Sequence, residues 1–208
     1  MPTALIAGAT GLVGGHLLRL LLADDTWDRV VSIGRREVDV RDPGLEQRIA
    51  VLPEIGDLPP VDDVFCALGT TIKKAGSQDA FRAIDHDAVV ALAAAARTAG
   101  ARSFLHVTSM GADAGSRVFY NRVKGETERD VAAVGIATTV AFRPSIIDGD
   151  RSESRPGEQV GLVAMRALAP VLGRFRPTRA EDIARATTGE AGIEVASTRE
   201  IARWATED

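Results

Sequence analysis

The sequence contains a single cysteine, Cys66, which excludes an intramolecular disulfide and is typical of a reducing compartment. Its first six residues have no basic segment followed by a long apolar run, the pattern of a secretory signal peptide. The apolar stretch at residues 17–23 is interrupted by Arg19 and is too short to cross a bilayer. We therefore expect a cytoplasmic protein without a membrane segment.

A concentration of basic charge is also missing. The 25 Lys and Arg residues and 29 Asp and Glu residues are spread along the chain and leave a net charge of −4. Nucleic acids and anionic membranes bind concentrated basic faces, so neither is expected as a partner. The three histidines, His16, His86 and His106, lie far apart without metal-ligand spacing, so no metal site is predicted.

Short apolar runs alternate with amphipathic segments along most of the 208 residues. This alternation predicts an α/β fold, a Rossmann-type doubly wound parallel sheet with helices on both faces. We expect residues 1–208 to form a single domain, with about 146–208 a small C-terminal extension that completes the substrate cleft. Strands are predicted at 3–7, 30–33, 49–52, 61–68, 103–108 and 137–142, and helices at 14–23, 77–99 and 119–134.

A glycine-rich turn follows the first predicted strand and opens the first helix. Glycines there permit a tight turn and let a pyrophosphate approach backbone N–H groups at the positive end of the helix. The spacing is Gly-x-x-Gly-x-x-Gly, and the alternative is an ordinary strand-to-helix turn. The position within a βαβ pattern favours a dinucleotide site, with its cofactor-binding residues being Gly8, Thr10, Gly11, Leu12, Val13 and Gly14.

The end of the second strand indicates which dinucleotide binds. An NAD site usually has an acidic residue there, whereas an NADP site has arginine. Here the strand ends with Gly34, Arg35 and Arg36, and no acid precedes Glu37. We predict that Arg35, supported by Arg36, holds the 2′-phosphate of NADP(H), in preference to NAD(H). Solvated surface arginines are the alternative.

The only tyrosine, Tyr120, lies four residues before Lys124, one of only three lysines. On a helix these two side chains share a face, and an ammonium beside a phenol favours the phenolate. Tyr120 is therefore the candidate acid–base, with Lys124 assisting it and holding the cofactor ribose. Ser109, just after the fifth strand, is the candidate residue that orients a substrate carbonyl. Its alternatives are a turn serine and the neighbouring Thr108.

Together the glycine turn, Ser109, Tyr120 and Lys124 resemble the short-chain dehydrogenase/reductase superfamily, in its atypical or extended branch. The chain is most similar there to the Tat-interacting-protein-like NAD(P)H-binding oxidoreductases. Segments 8–11 and 142–144 are typical of that branch, and the closer resemblance is carried by segments 66–71, 74–76, 124–126 and 150–158.

The resemblance implies that an NADPH-type cofactor also contacts Leu68, Gly69 and Thr70, and that Pro144, Ser145 and Ile146 meet its nicotinamide end. The chain departs from the superfamily at one place: in the helix after the fourth strand, where the superfamily often has asparagine, this chain has Ile84, Asp85 and His86. A proton relay at that place is therefore not expected.

These residues predict an NADP-dependent oxidoreductase that acts on a small carbonyl or alcohol substrate, as a monomer or homodimer. The large C-terminal lobe of sugar-nucleotide epimerases is missing, so a nucleotide sugar is not expected as substrate. The alternative is an NADP(H)-binding redox sensor or protein-interaction module without turnover. A structural chain that binds no nucleotide would require all of these features to be accidental.

Overall fold

The computed structural model describes residues 1–144, together with the backbone of three short strands beyond them. The strands of the main sheet are β1 (Thr3–Ala7), β2 (Arg29–Gly34), β3 (Leu45–Ile49), β4 (Asp63–Cys66), β5 (Ser103–Val107), β6 (Thr138–Phe142) and β9 (Val195–Ser197). β7 (Ile147–Asp148) and β8 (Thr178–Arg179) form a separate parallel pair.

The main sheet has the order β3-β2-β1-β4-β5-β6-β9. Strands β1 to β6 are all parallel to one another, and β9 is antiparallel to β6. The chain adds β2 and β3 on one side of β1 and then returns to add β4 on the other. The strand order therefore reverses between β1 and β4, which confirms the predicted doubly wound Rossmann-type sheet.

Successive side chains of each strand point to opposite faces, and both faces are covered by helices. All five residues of β1 are buried. Leu5 packs in one cluster with Leu92 and Val131, whereas Ile6 packs in the other with Leu17. Burial on both faces explains why β1 is a continuous apolar run without polar alternation.

The helices are α1 (Leu12–Ala23), α2 (Ile72–Ala75), α3 (Gln78–Arg82), α4 (Ala88–Thr98) and α5 (Phe119–Ala133). The helix predicted at 77–99 begins as expected, because the Ser77 hydroxyl accepts a hydrogen bond from Ala80 N at 3.0 Å. It ends before Gly100, which has a φ of 90°. Between α3 and α4, however, Ala83–Asp87 form a π-helical turn that the sequence pattern did not predict. None of the described helices is long and apolar enough to span a membrane.

The third strand was predicted at 49–52, and that prediction is wrong by about one strand length. The strand is Leu45–Ile49, at the edge of the sheet, and every residue in it is at least partly exposed. One of its polar side chains, Glu46, forms an ion pair with Arg29 of the neighbouring strand β2 at 3.2 Å. Apolar periodicity is therefore weak in β3, while Ile49 and Val51, which formed the apolar signal, are exposed.

The C-terminal extension predicted at about 146–208 lies outside the described residues, apart from the backbone of β7, β8 and β9. Its contribution to a substrate cleft stays a prediction.

Candidate functional site

The candidate site lies at the carboxyl edge of the sheet, where the loops after β1, β4, β5 and β6 meet. Parallel α/β sheets bind ligands at this edge, next to the point where the strand order reverses. In this protein that point lies between β1 and β4. Most of the predicted residues lie on these loops, whereas Tyr120 and Lys124 lie on α5, and the contacts between the loops and α5 define the site.

The glycine turn is packed too closely for side chains. Gly8 has a φ of 87°, and a Cβ there would lie 2.5 Å from the carbonyl oxygen of Ala67, in the loop after β4. A Cβ on Gly14 would overlap the carbonyl group of Gly8, at 2.7 Å from its carbon. Gly11 N donates to Gly8 O at 2.9 Å, and no described side chain caps the helix there.

The turn therefore leaves backbone open at the start of α1, a cradle that fits a dinucleotide pyrophosphate. Thr10 and Gly11 are exposed on it and Leu12 is half-buried, whereas the Val13 side chain is buried in the core. Val13 could contact a ligand in this turn only through its backbone.

Arg35 and Arg36 follow β2 and are both exposed. Within the described part of the chain, neither side chain forms a hydrogen bond or an ion pair. They stand at the place where an NADP site carries its arginine, and both guanidinium groups are available to an anion.

The loop after β4 connects the glycine turn with α5. Leu68 adjoins Gly8, whose added Cβ would lie 2.8 Å from Leu68 N. Thr70 N donates to the carboxylate of Asp85 at 2.9 Å. Gly69 covers that carboxylate and Lys124, since its added Cβ would lie 3.4 Å from Asp85 Oδ1 and 3.8 Å from Lys124 Nζ. The structure thus brings Gly69 and Lys124 together, as the prediction requires.

Tyr120 and Lys124 lie one turn apart on α5, but their surroundings differ. Tyr120 is half-buried, and its ring packs against that of Phe81 with the ring centroids 5.3 Å apart. Lys124 is only 5% exposed and forms an ion pair with Asp85 at 2.7 Å. Burial alone would lower the pKa of Lys124, but the Asp85 carboxylate raises it above its ordinary value. Burial raises the pKa of Asp85, and the Lys124 ammonium opposes that shift.

Sequence reasoning missed Asp85 as part of this site. The available signal was the acidic residue standing where the superfamily often has asparagine. Its significance depends on the π-helical turn and on the contact with Lys124, neither of which local sequence reports.

Ser109 lies in the loop after β5, and its hydroxyl donates to Met110 O at 3.2 Å. Met110 N donates to Pro144 O at 2.8 Å, which joins this loop to the one after β6. Thr108, the alternative to Ser109, is buried, and its hydroxyl donates to Glu128 at 2.6 Å. The structure therefore favours Ser109, which is partly exposed. Ser145 and Ile146, predicted with Pro144, lie outside the described residues.

Gly125 explains how the loop after β5 approaches the helix that carries Tyr120 and Lys124. A Cβ on Gly125 would lie 2.6 Å from the Cα of Asp113. The backbone of that loop therefore rests directly on α5, which sets the distance between Ser109 and the helix.

A buried ion pair underlies the site. Arg143 Nε donates to both carboxylate oxygens of Glu128, at 3.0 and 3.2 Å, and Nη2 also bonds Oε2. Glu128 is 2% exposed and also accepts the bond from Thr108. The network links α5 to the ends of β5 and β6, and sequence reasoning did not identify it.

Replacing Glu128 with glutamine should lower the free energy of unfolding by about 3 kcal/mol, because the partner of a buried charge is removed. Urea unfolding of the variant measures this. Glu46→Gln is the matched control, since it breaks a half-exposed pair with Arg29 and should cost under about 1 kcal/mol. Equal losses in the two variants would contradict the assigned role of the Glu128 network.

Comparison with known proteins identifies the family. Residues 4–122 match the model of the NAD dependent epimerase/dehydratase family. The mitochondrial protein fmp52 of Emericella nidulans is 36% identical over 181 residues, which cover 82% of this chain and 78% of that protein. Protein HTATIP2 of Rattus norvegicus is 36% identical over 160 residues, or 74% of this chain and 66% of that protein.

Solved structures agree on the fold at lower identity. UDP-glucose 4-epimerase of Thermotoga maritima, solved with UDP-glucose, is 14% identical with a TM-score of 0.69, covering 97% of this chain and 80% of that one. The Bordetella bronchiseptica enzyme WbmH, solved in complex with NAD+, is 20% identical with a TM-score of 0.66, covering 91% and 72%.

The expected cytoplasmic location is wrong, because fungal relatives that are 34–36% identical to this chain are named mitochondrial proteins. The lone cysteine on which that expectation partly rested does not distinguish one reducing compartment from another. The resemblance drawn from the glycine turn and the Tyr120–Lys124 pair is confirmed: this chain belongs to the NAD dependent epimerase/dehydratase family, a Rossmann-fold family of NAD(P)-dependent oxidoreductases, with fmp52 and HTATIP2 proteins among its relatives.

Proposed function

We propose that this chain is an NADP(H)-dependent oxidoreductase of short-chain dehydrogenase/reductase type that acts on a small carbonyl or alcohol substrate. The observation that carries the proposal is the placement of Lys124 directly beneath Gly69, with Tyr120 one turn away on α5. This placement joins an acid–base pair to the loop that adjoins the glycine turn.

The glycine turn would hold the cofactor pyrophosphate on the backbone at the start of α1, where the helix dipole favours an anion. Arg35, with Arg36 beside it, would bind the 2′-phosphate through charge-assisted hydrogen bonds. Leu68, Gly69 and Thr70 would line the path between the pyrophosphate and Lys124.

The bound nicotinamide supplies hydride exchange at its C4 atom. Ser109 would donate a hydrogen bond to the substrate oxygen after its hydroxyl turns away from Met110 O. Tyr120 would give a proton to that oxygen in reduction and accept one in oxidation. The Lys124 ammonium lies one turn from Tyr120 on α5 and would donate its remaining N–H groups to the ribose.

Calorimetric titration with NADPH and with NADH tests the cofactor assignment. Charge-assisted bonds to the 2′-phosphate contribute roughly 1.5–3 kcal/mol each, so NADPH should bind about tenfold tighter or better. Arg35→Gln should remove most of that preference, whereas its affinity for NADH should change little.

Arg19→Gln is the matched control, because Arg19 is an exposed arginine of α1 away from the carboxyl edge of the sheet. It should keep the full preference for NADPH. Equal affinities of the native protein for the two cofactors would overturn the arginine assignment, and binding of neither would overturn the proposed function.

A further inference from the structure

Asp85 is held at three points, although it belongs to no predicted motif. Its carboxylate pairs with Lys124 at 2.7 Å and accepts a hydrogen bond from Thr70 N at 2.9 Å. Its backbone carbonyl is one of two acceptors of the Thr127 hydroxyl, which lies 2.9 Å from Asp85 O and 2.7 Å from Val123 O. Asp85 thus connects the loop after β4 to the face of α5 that carries Lys124.

The π-helical turn Ala83–Asp87 carries Asp85 in the middle of an otherwise helical segment. π-Helical turns add a residue to the helical repeat and are frequent at functional sites. Here the turn combines with the bond from Thr127 to hold Asp85 against α5, so that its 1% exposed side chain reaches Lys124 from the opposite helix.

Among residues 1–144, no other group near Lys124 offers it an unpaired negative charge at neutral pH. Burial raises the pKa of Cys66, on β4, to about 12, which keeps its thiol protonated. Burial lowers the pKa of His106, on β5, to about 3, which keeps its ring neutral. Glu128, one turn along α5, is engaged by Arg143. Among residues 1–144 this leaves Asp85 as the counter-ion of the Lys124 ammonium.

We propose that Asp85 is a positioning residue of this site, whose carboxylate keeps the buried Lys124 ammonium charged and fixed beneath the loop after β4. The inference deepens the proposed function and rests on it for the catalytic consequence. A neutral amide at position 85 would leave Lys124 buried without a counter-ion, and burial disfavours the charged form of a lysine. Lys124 would then lose its proton, and the site would lose the positive charge one turn from Tyr120.

The presence of only three lysines makes a direct test possible. Protein labelled with ¹³C at the lysine ε-carbon should give three signals, and Lys73 and Lys74, both exposed on α2, serve as internal references. In the native protein the Lys124 signal should titrate at a higher pH than the references. In Asp85→Asn it should titrate at least about one pH unit below them, which corresponds to a tenfold change in its ionisation constant. Titration of Lys124 at its native pH in folded Asp85→Asn would overturn the proposal.

Two further variants define the cause. Asp85→Glu keeps the charge and should restore late titration of Lys124. Asp130→Asn is the matched control, because it removes a carboxylate of α5 that bonds His86 rather than Lys124. It should leave the Lys124 signal unchanged, and an equal shift in this control would contradict the proposal.

If Asp85→Asn does not fold, the double variant Asp85→Asn/Lys124→Met decides the question. It leaves neither charge buried and should fold, and failure to fold would overturn the proposal. The lysine titration needs neither cofactor nor substrate, so its outcome is independent of the proposed function. Where turnover is measurable, Asp85→Asn should reduce it tenfold or more, yet add nothing to the loss in Lys124→Met.

Discussion

Replacing Tyr120 with phenylalanine should slow cofactor-dependent turnover by about 10²–10⁴-fold while leaving NADPH affinity nearly unchanged. The phenol is the only group of this side chain that can exchange a proton with the substrate oxygen. The variant keeps the aromatic ring, whose centroid lies 5.3 Å from that of the Phe81 ring. Steady-state rates and calorimetric titration of the same preparation separate the two effects.

A matched control is available within the same aromatic cluster. Phe119 also packs on Phe81, with ring centroids 6.1 Å apart, and carries no ionisable group. Phe119→Leu should lose packing but retain most turnover. Full activity in Tyr120→Phe would contradict the acid–base role, and equal losses in both variants would assign the effect to packing.

The second large effect is expected from Gly14→Ala. The added Cβ would overlap the carbonyl group of Gly8, and both groups are backbone-bound and cannot turn aside. Either α1 or the turn must shift, which we expect to cost about 1–3 kcal/mol of unfolding free energy. Because the shift displaces the backbone that would receive the pyrophosphate, NADPH binding should be lost. Urea unfolding and calorimetry measure the two consequences.

Gly15→Ala is a close control, one residue along the same helix. Its Cβ would meet Ala9 O at 3.5 Å, an ordinary van der Waals contact. Alanine is a better helix former than glycine by about 1 kcal/mol, so this variant should be as stable as the native protein or more stable. Similar losses in the two variants would show that the close packing at Gly14 is not what the cofactor turn requires.

Features with a local physical cause were predictable from sequence. Ser77 caps α3, and Gly100 has the positive φ of a helix stop, because capping depends on a few adjacent residues. The Tyr120–Lys124 spacing likewise has a direct meaning on a helix, whatever the rest of the fold. The strand order followed from alternation of buried strands with helices, since few topologies satisfy short right-handed crossovers.

Features that depend on distant contacts were not predictable in the same way. Asp85 and Lys124 are far apart in sequence. The residues of the π-helical turn are also compatible with an ordinary α-helix, so the sequence does not indicate the turn. The ion pair of Glu128 with Arg143 likewise joins α5 to the end of β6, and the local sequence of α5 does not indicate it. The edge strand β3 was displaced in the prediction because its half-exposed polar residues lack an apolar pattern.

The proposed function requires transfer of hydride between a nicotinamide cofactor and a small substrate. This step can be measured with NADPH deuterated at both C4 positions, a panel of aldehydes and ketones, and mass spectrometry of the products. We expect deuterium on the carbon of the reduced carbonyl with at least one aldehyde or ketone, and at least about a hundredfold less of it in the same time with Tyr120→Phe. Binding of NADPH without transfer of deuterium to any compound of the panel would contradict the proposed hydride transfer and favour a cofactor-binding sensor without turnover.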